Sequence, residues 1–380
     1  MHLMHGAPGR RNTIDNGEYL YFCGTGYLGL QNHPRLIQAS CEAARQYGMG
    51  TATSRTGYGT APPVAEVEKK SAQFWEAEDA FYFASGYLGN QVVLSVLAKS
   101  AGVVLLDEHS HYSIIDACKS SGLPVVRFAH NDTQALQEAL RANAEPGNAP
   151  LVMCDGVFAT SGEIVPIREY IEVLQEYDGA MLCMDECHAY GVLGETGRGV
   201  YQQYGIALSR VNQSLSDLDP PSGTRLYSLG TLSKAFGGYG GIVAGSRSFI
   251  KEARNSSRYF SGASAPPTPV AAASAAALEI VAATPELVTH LQHNARSLRQ
   301  RLRSLGLEVD DIPTPVVGLS IGDENNMRRI QQGMADDGVL IAYAREYSGL
   351  GPCGGLRIAV FATHTEADLR DLSGCLARRL

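Results

Sequence analysis

Ala180-Met-Leu-Cys-Met-Asp185-Glu-Cys-His188-Ala-Tyr-Gly191 begins as an unbroken apolar run and stops on a carboxylate. A run this short and this apolar fits a strand inside a parallel sheet, buried on both faces. Runs of the same kind stand at Ala80–Phe83, Val103–Leu106, Val125–Phe128, Leu151–Asp155 and Arg225–Leu229. Helical patterns at 67–75, 86–99, 132–143 and 167–177 lie between them. Strand and helix in alternation predict an α/β fold with a mainly parallel sheet covered on both sides. In such sheets ligands gather beyond the carboxyl ends of the strands, so the polar residues that close each run are the site candidates.

Asp185 is placed to pair with a pyridinium nitrogen, and His188 to reach the phenolic side of the same ring. The plainer alternative for Asp185 is a helix cap or a loop ion pair. In Asp107-Glu-His-Ser-His111 the last imidazole suits stacking on a flat ring and proton transfer, or else a structural hydrogen bond. Ser85-Gly86-Tyr87-Leu-Gly-Asn90 joins a short strand to a helix, where open amides and a hydroxyl form a phosphate seat. Gly230-Thr231-Leu-Ser-Lys234-Ala-Phe-Gly-Gly-Tyr-Gly-Gly241 sets one lysine among small residues. Gly237, Gly238, Gly240 and Gly241 would let backbone and cofactor approach a Schiff-base lysine closely, with Thr231 as a second phosphate contact. The rival reading is a surface lysine in a flexible turn. The Gly-x-Gly-x-x-Gly spacing of a dinucleotide site is absent. An acid, two histidines and a phosphate seat at separate strand ends favour the cofactor lysine.

The chain of 380 residues has room for two or three domains, or for one large domain with an appendage. Its net charge of -8 and scattered basic residues give no nucleic-acid footprint. Eight cysteines form no paired zinc motif, and several sit in apolar runs as reduced core thiols do. The N-terminus shows no signal pattern and no apolar run is long enough for a membrane span, which makes a reducing cytoplasm the default compartment. The glycine- and threonine-rich connection 48–60 is long enough to suggest function, and the polar, proline-bearing stretch 214–223 reads as a surface excursion. After Pro266-Pro267 come helices at 270–283 and 285–305. Strands at 316–321, 339–343 and 356–361 and helices at 327–336 and 366–378 follow, the last capped by Thr365 with Asp368. They make a smaller α+β unit. The expected division is an N-terminal segment 1–45, a large cofactor-binding domain 46–265, and a small C-terminal domain with its connecting helix, 266–380.

From about Tyr19 to Leu380 the chain resembles the α-oxoamine synthase family of fold-type I pyridoxal-phosphate enzymes. The motifs are Tyr27-Leu-Gly-Leu30 with Asn32-His-Pro34, Ser85-Gly-Tyr87, His111-Tyr-Ser-Ile-Ile-Asp116, Asp155-Gly-Val-Phe158, Asp185-Glu-Cys-His-Ala-Tyr-Gly191, Gly194-Glu-Thr-Gly-Arg-Gly199, Gly230-Thr-Leu-Ser-Lys234 and Arg357-Ile with His364-Thr365. The resemblance implies that pyridoxal 5'-phosphate is bound covalently by Lys234, with Asp185 on the ring nitrogen, His188 on the phenolic oxygen and His111 stacked on the ring. It implies that Thr231 and the Ser85-Gly86-Tyr87 turn hold the phosphate and that Arg357 grips an amino-acid carboxylate. A homodimer with shared active sites is implied too, with Ser264, in the segment 260–266, approaching the partner's phosphate.

The activity implied is decarboxylative condensation of a small amino acid with an acyl thioester, carried by CoA or by a carrier protein, to an α-amino ketone. Lys234 and His111 are the candidate proton carriers. An aminotransferase or retro-aldol lyase on the same scaffold is the rival enzyme reading, and a scaffolding subunit the non-enzymatic one. The sequence departs from the family pattern at Cys23-Gly-Thr25-Gly26, where an amide gives way to Thr25, and at Ala159, where a serine is usual. The proline-rich stretch before Arg357 becomes Tyr347-Ser-Gly-Leu-Gly-Pro-Cys-Gly-Gly355, and Val64 stands where the family has a histidine. These positions bear on substrate choice, while the residues around the cofactor keep the pattern.

Overall fold

The computed structural model describes residues 2–214 and 223–380, so all but the two ends of the excursion read at 214–223 lie outside the described residues. Seven strands build the central sheet: β1 (Asp79–Phe83), β2 (Ala101–Asp107), β3 (Val125–Phe128), β4 (Ala149–Asp155), β5 (Met181–Asp185), β6 (Arg225–Thr231) and β7 (Gly241–Gly245). Their order is β1-β7-β6-β5-β4-β2-β3. The run β6-β5-β4-β2-β3 is parallel, and β7 is antiparallel to both of its neighbours. Consecutive side chains of a strand face opposite ways. Accordingly Leu182 and Met184 enter one core with Leu105, Val152 and Cys154, while Met181 and Cys183 enter the other with Val104, Leu106, Leu151 and Met153. Each such buried Leu or Met contributes about 1.5–3 kcal/mol.

Strand β7 departs from the sequence reading, which sees only a glycine loop beyond Lys234. Its three central residues are too few to stand out between glycines, yet it pairs with β1 from Gly241 opposite Phe83 to Gly245 opposite Asp79. A Cβ on Gly241 would lie 2.2 Å from the Phe83 ring, so the glycine is what lets the strand close up. Lys234 therefore sits in the link between two antiparallel strands.

A second, three-stranded antiparallel sheet is formed by Val316–Leu319, Gly355–Ala359 and Ala342–Ala344. Residues of helices Glu286–Ser304, Glu324–Asp336 and Glu366–Ala377 complete its core, and Thr365 with Asp368 forms the expected capping box. The run 339–343, expected as one strand, is divided. Val339–Leu340 pairs in parallel with Gly17–Tyr21, and Ala342–Ala344 turns to Gly355–Ala359. Leu20 and Phe22 thereby join the core of the C-terminal unit. Helix Thr268–Ala283 packs against Pro34–Tyr47 and Pro62–Phe74, with Ala271, Ala275, Leu278 and Val281 in the core of the large sheet.

Candidate active site

The parallel register sets Asp155 beside Asp185 at the carboxyl ends of β4 and β5. Both are almost fully buried. Asp185 accepts from Asn90 Nδ2 at 2.7 Å through Oδ2 and from the Cys187 N–H at 2.9 Å through Oδ1. Asp155 accepts the His111 N–H at 2.8 Å. Burial and the neighbouring Asp185 charge push the Asp155 carboxyl well above its ordinary range.

A second chain of contacts crosses the site from Lys234 to Arg357. Lys234 Nζ lies 2.7 Å from His188 Nε2, and His188 Nδ1 lies 2.7 Å from the Tyr27 hydroxyl. Arg357 Nη2 donates to that hydroxyl at 3.2 Å. Burial, reinforced by the Lys234 and Arg357 charges, drives the His188 pKa well below its usual value and keeps the ring neutral. An amine that donates to Nε2 leaves the ring proton on Nδ1, where it goes to Tyr27. Arg357 is fixed further by Nε to Ala159 O at 2.7 Å and Nη1 to Gly24 O at 3.0 Å.

His111 caps helix Tyr112–Ser120, its Nδ1 accepting the Ser113 N–H at 3.1 Å. Its Nε2 lies 2.9 Å from the Tyr347 hydroxyl. In the Ser85-Gly86-Tyr87 turn, which lines the same cavity as Ser233, Gly86 approaches Thr231. A Cβ on Gly86 would stand 2.7 Å from Thr231 Cβ, so only glycine fits there. The Thr231 hydroxyl donates to Gly240 O at 2.8 Å and meets Ser233 Oγ at 2.8 Å. Together these groups form one end of the site, lined by small residues and hydroxyls.

One cavity of about 410 Å³ is lined by Lys234, His111, Asp185, His188, Ser85, Gly86, Tyr87, Thr231, Arg357 and Thr25. Ser264 is absent from its lining. It is exposed, and its backbone pairs with Ser54. The glycines after Lys234 have a different task from the one expected. None of Gly237, Gly238, Gly240 or Gly241 lines the cavity, and added Cβ atoms would strike Gln31, Ser274, Tyr82 and Phe83. Their thinness packs the lysine loop against the protein.

The structure adds Asn90, Tyr27, Asp155, Ser113 and Tyr347 to the site network. Asn90 carries a readable signal, an amide among the apolar residues of Gly89–Leu97, and Asp155 another, an acid closing an apolar run. Tyr347 is singled out in the sequence only as the start of the altered stretch before Arg357; its contact with His111 has no local signal, since the two lie 236 positions apart.

Residues 19–375 match the family model described as aminotransferase class I and II. An 8-amino-7-oxononanoate synthase from Symbiobacterium thermophilum is 33% identical over 371 residues, covering 97% of this chain and 90% of that protein. An 8-amino-7-oxononanoate synthase 1 from Bacillus subtilis is 32% identical over 360 residues, covering 94% and 87%. Among solved structures, a serine palmitoyltransferase variant from S. paucimobilis with bound PLP–myriocin superposes with a TM-score of 0.89 at 27% identity, over all of this chain and 92% of that one. A Francisella tularensis 8-amino-7-oxononanoate synthase, at 21% identity and a TM-score of 0.77 over 95% and 97% of the two chains, shares the fold.

Proposed function

The chain belongs to the aminotransferase class I and II family, on its α-oxoamine synthase branch, and from that membership we propose what its cavity does. It is a pyridoxal-phosphate-dependent acyltransferase that condenses an amino acid with an acyl thioester, with loss of carbon dioxide, to an α-amino ketone. The observation that carries the site assignment is Arg357. Three of its five N–H groups go to Ala159, Gly24 and Tyr27, and among the described residues no carboxylate pairs with it. One N–H remains on each terminal nitrogen, the fork that a carboxylate fills.

Pyridoxal phosphate fits the residues present. The Ser85-Gly86-Tyr87 turn with Thr231 and Ser233 suits its phosphate, and only a glycine at 86 lets the turn come this close to Thr231. Asp185, steadied by Asn90 and Cys187, suits the ring nitrogen, and Lys234 the covalent attachment. When bound, the cofactor supplies an electron sink that acidifies the amino acid's α-carbon. Lys234 Nζ, held beside neutral His188, accepts and returns the proton at that carbon. Arg357 orients the substrate carboxylate, and His111 offers its ring as a stacking face.

A small amino acid and an acyl group on CoA or on a carrier protein are the proposed substrates. A homodimer is proposed as well. Met49, 70% exposed, and the fully exposed Tyr58 share the 48–60 connection with Ser54, which bridges Ser264, and a second copy would cover them. All eight cysteines are free thiols, in keeping with a reducing cytoplasm, and among the described residues no single helix is long and apolar enough to cross a membrane. The test is to load purified protein with pyridoxal phosphate and offer glycine, alanine or serine with an acyl-CoA. Release of carbon dioxide and free thiol is expected. A keto acid formed without thiol would overturn the assignment.

A further inference from the structure

The segment Tyr347-Ser-Gly349, where the family's proline-rich stretch is replaced, is clasped to the opposite side of the cavity. Ser348 Oγ donates to His109 O at 3.0 Å and also to Ser110 O, and Ser348 O accepts from Thr160 Oγ1 at 3.2 Å. Gly349 has φ +80°, and a Cβ there would press to 3.2 Å from His109 Cβ. The clasp brings the Tyr347 hydroxyl to 2.9 Å from His111 Nε2.

The direction of that hydrogen bond follows from the other ring nitrogen. His111 Nδ1 accepts the Ser113 N–H at 3.1 Å and so bears a lone pair; Ser113 Oγ, 2.9 Å from Nδ1, receives Asn90 Nδ2 and turns its own hydrogen to that nitrogen. A neutral imidazole with its lone pair on Nδ1 carries its proton on Nε2, and Nε2–H donates to the Tyr347 oxygen. Tyr347's own hydroxyl hydrogen is therefore not used on His111, and Tyr347 lines the same cavity as Arg357 and Lys234. Burial lowers the His111 pKa, keeping the ring neutral, and raises that of Tyr347, keeping the phenol protonated.

We propose that Tyr347, oriented by His111, donates its hydroxyl hydrogen bond to the carbonyl oxygen of the acyl thioester. The inference rests on the condensation assigned above. Within the cavity, charged Arg357 matches a carboxylate, whereas a neutral phenol matches a neutral carbonyl whose oxygen gains charge as it is attacked. As the amino acid's α-carbon adds to the acyl carbon, the carbonyl π pair moves onto oxygen. It returns when the C–S bond breaks and the thiolate departs. No bond to Tyr347 is made or broken.

Tyr347→Phe keeps the ring packed against Tyr112 and His111 and removes only the hydroxyl. Its kcat for condensation with acyl-CoA should fall about 10²- to 10³-fold, with bound cofactor and the KM for the amino acid unchanged. Unchanged kcat overturns the proposal. So does a fall in kcat matched by loss of cofactor or of amino-acid affinity, which marks a structural role. Wild-type protein that releases no thiol sinks the condensation reading and this proposal with it, an outcome distinct from a fully active Tyr347→Phe variant.

Discussion

The floor and the wall of the cavity are built on different principles. On the floor, Asp155, Asp185, Asn90 and His188 stand at or just beyond the ends of sheet strands or in an adjoining helix, and each is at most 5% exposed. Asp185 accepts from Asn90 and from the Cys187 N–H, and Asn90 also donates to Ser113 Oγ. Thr25, Tyr347 and Arg357 form a wall from the N-terminal segment and the C-terminal unit, are only half-buried, and join residues up to 333 positions apart. Its donors remain partly unspent. Rigid burial suits a floor that must present the same groups to one cofactor, while spare donors on a wall suit selection among substrates.

The sharpest test of the floor is Lys234→Ala. Condensation should drop on the order of 10⁴-fold or more, and the visible absorption of covalently bound pyridoxal phosphate should vanish while the protein stays folded. A band that survives would assign the lysine to the wall's side of the comparison. Next in size is Arg357→Lys, which keeps the charge but loses the fork. Loss of charge-assisted hydrogen bonds worth about 1.5–3 kcal/mol should raise the KM for the amino acid roughly 10- to 100-fold, with cofactor binding unaltered. Cofactor loss in that variant would erase the distinction between the two regions. Smaller again is Asn90→Leu, which leaves Asp185 Oδ2 buried without its donor. Unfolding in urea should show a loss of about 1–3 kcal/mol.

The same division governs what the sequence reveals. Floor acids close apolar runs, so Asp155 and Asp185 announce themselves through strand periodicity, and the parallel sheet follows from the same runs. Asn90 is legible only as an amide that an apolar helix must bury against something polar. The wall is assembled by tertiary contact. Nothing local in Tyr347-Ser-Gly349 points to His109 or His111, and nothing in 339–343 says that its two halves serve different sheets. Strand β7 escapes because glycines hide it, although those glycines are what allow Gly241 to pass Phe83.

One network ties wall to floor, and its titration offers the smallest and most specific effect. His130 bonds Asp107 at the end of β2 at 2.9 Å and Glu163 at 3.1 Å, and His109, whose carbonyl receives Ser348, stacks on it with ring centroids 4.1 Å apart. Burial works against a charge on His130, but its hydrogen bonds to Asp107 and Glu163 outweigh it and push the pKa up to about 9. The hydrogen bond from His130 holds Glu163 down to about 2. A folded pKa raised above the unfolded value stabilises fully below the unfolded pKa of ~6.5, and that stability fades as pH rises through about 9. For Glu163 the sign reverses: its contribution is present above ~4.5 and fades as pH falls toward about 2. The pair should therefore stabilise most between roughly pH 4.5 and 6.5. Glu163 is 39% exposed, so solvent screens its share and the whole effect is on the order of 1–2 kcal/mol. His130→Phe should flatten the unfolding free energy between roughly pH 6.5 and 9, measured by urea titration at each pH. A slope that persists in the variant would place the titrating group elsewhere and cut this link between wall and floor.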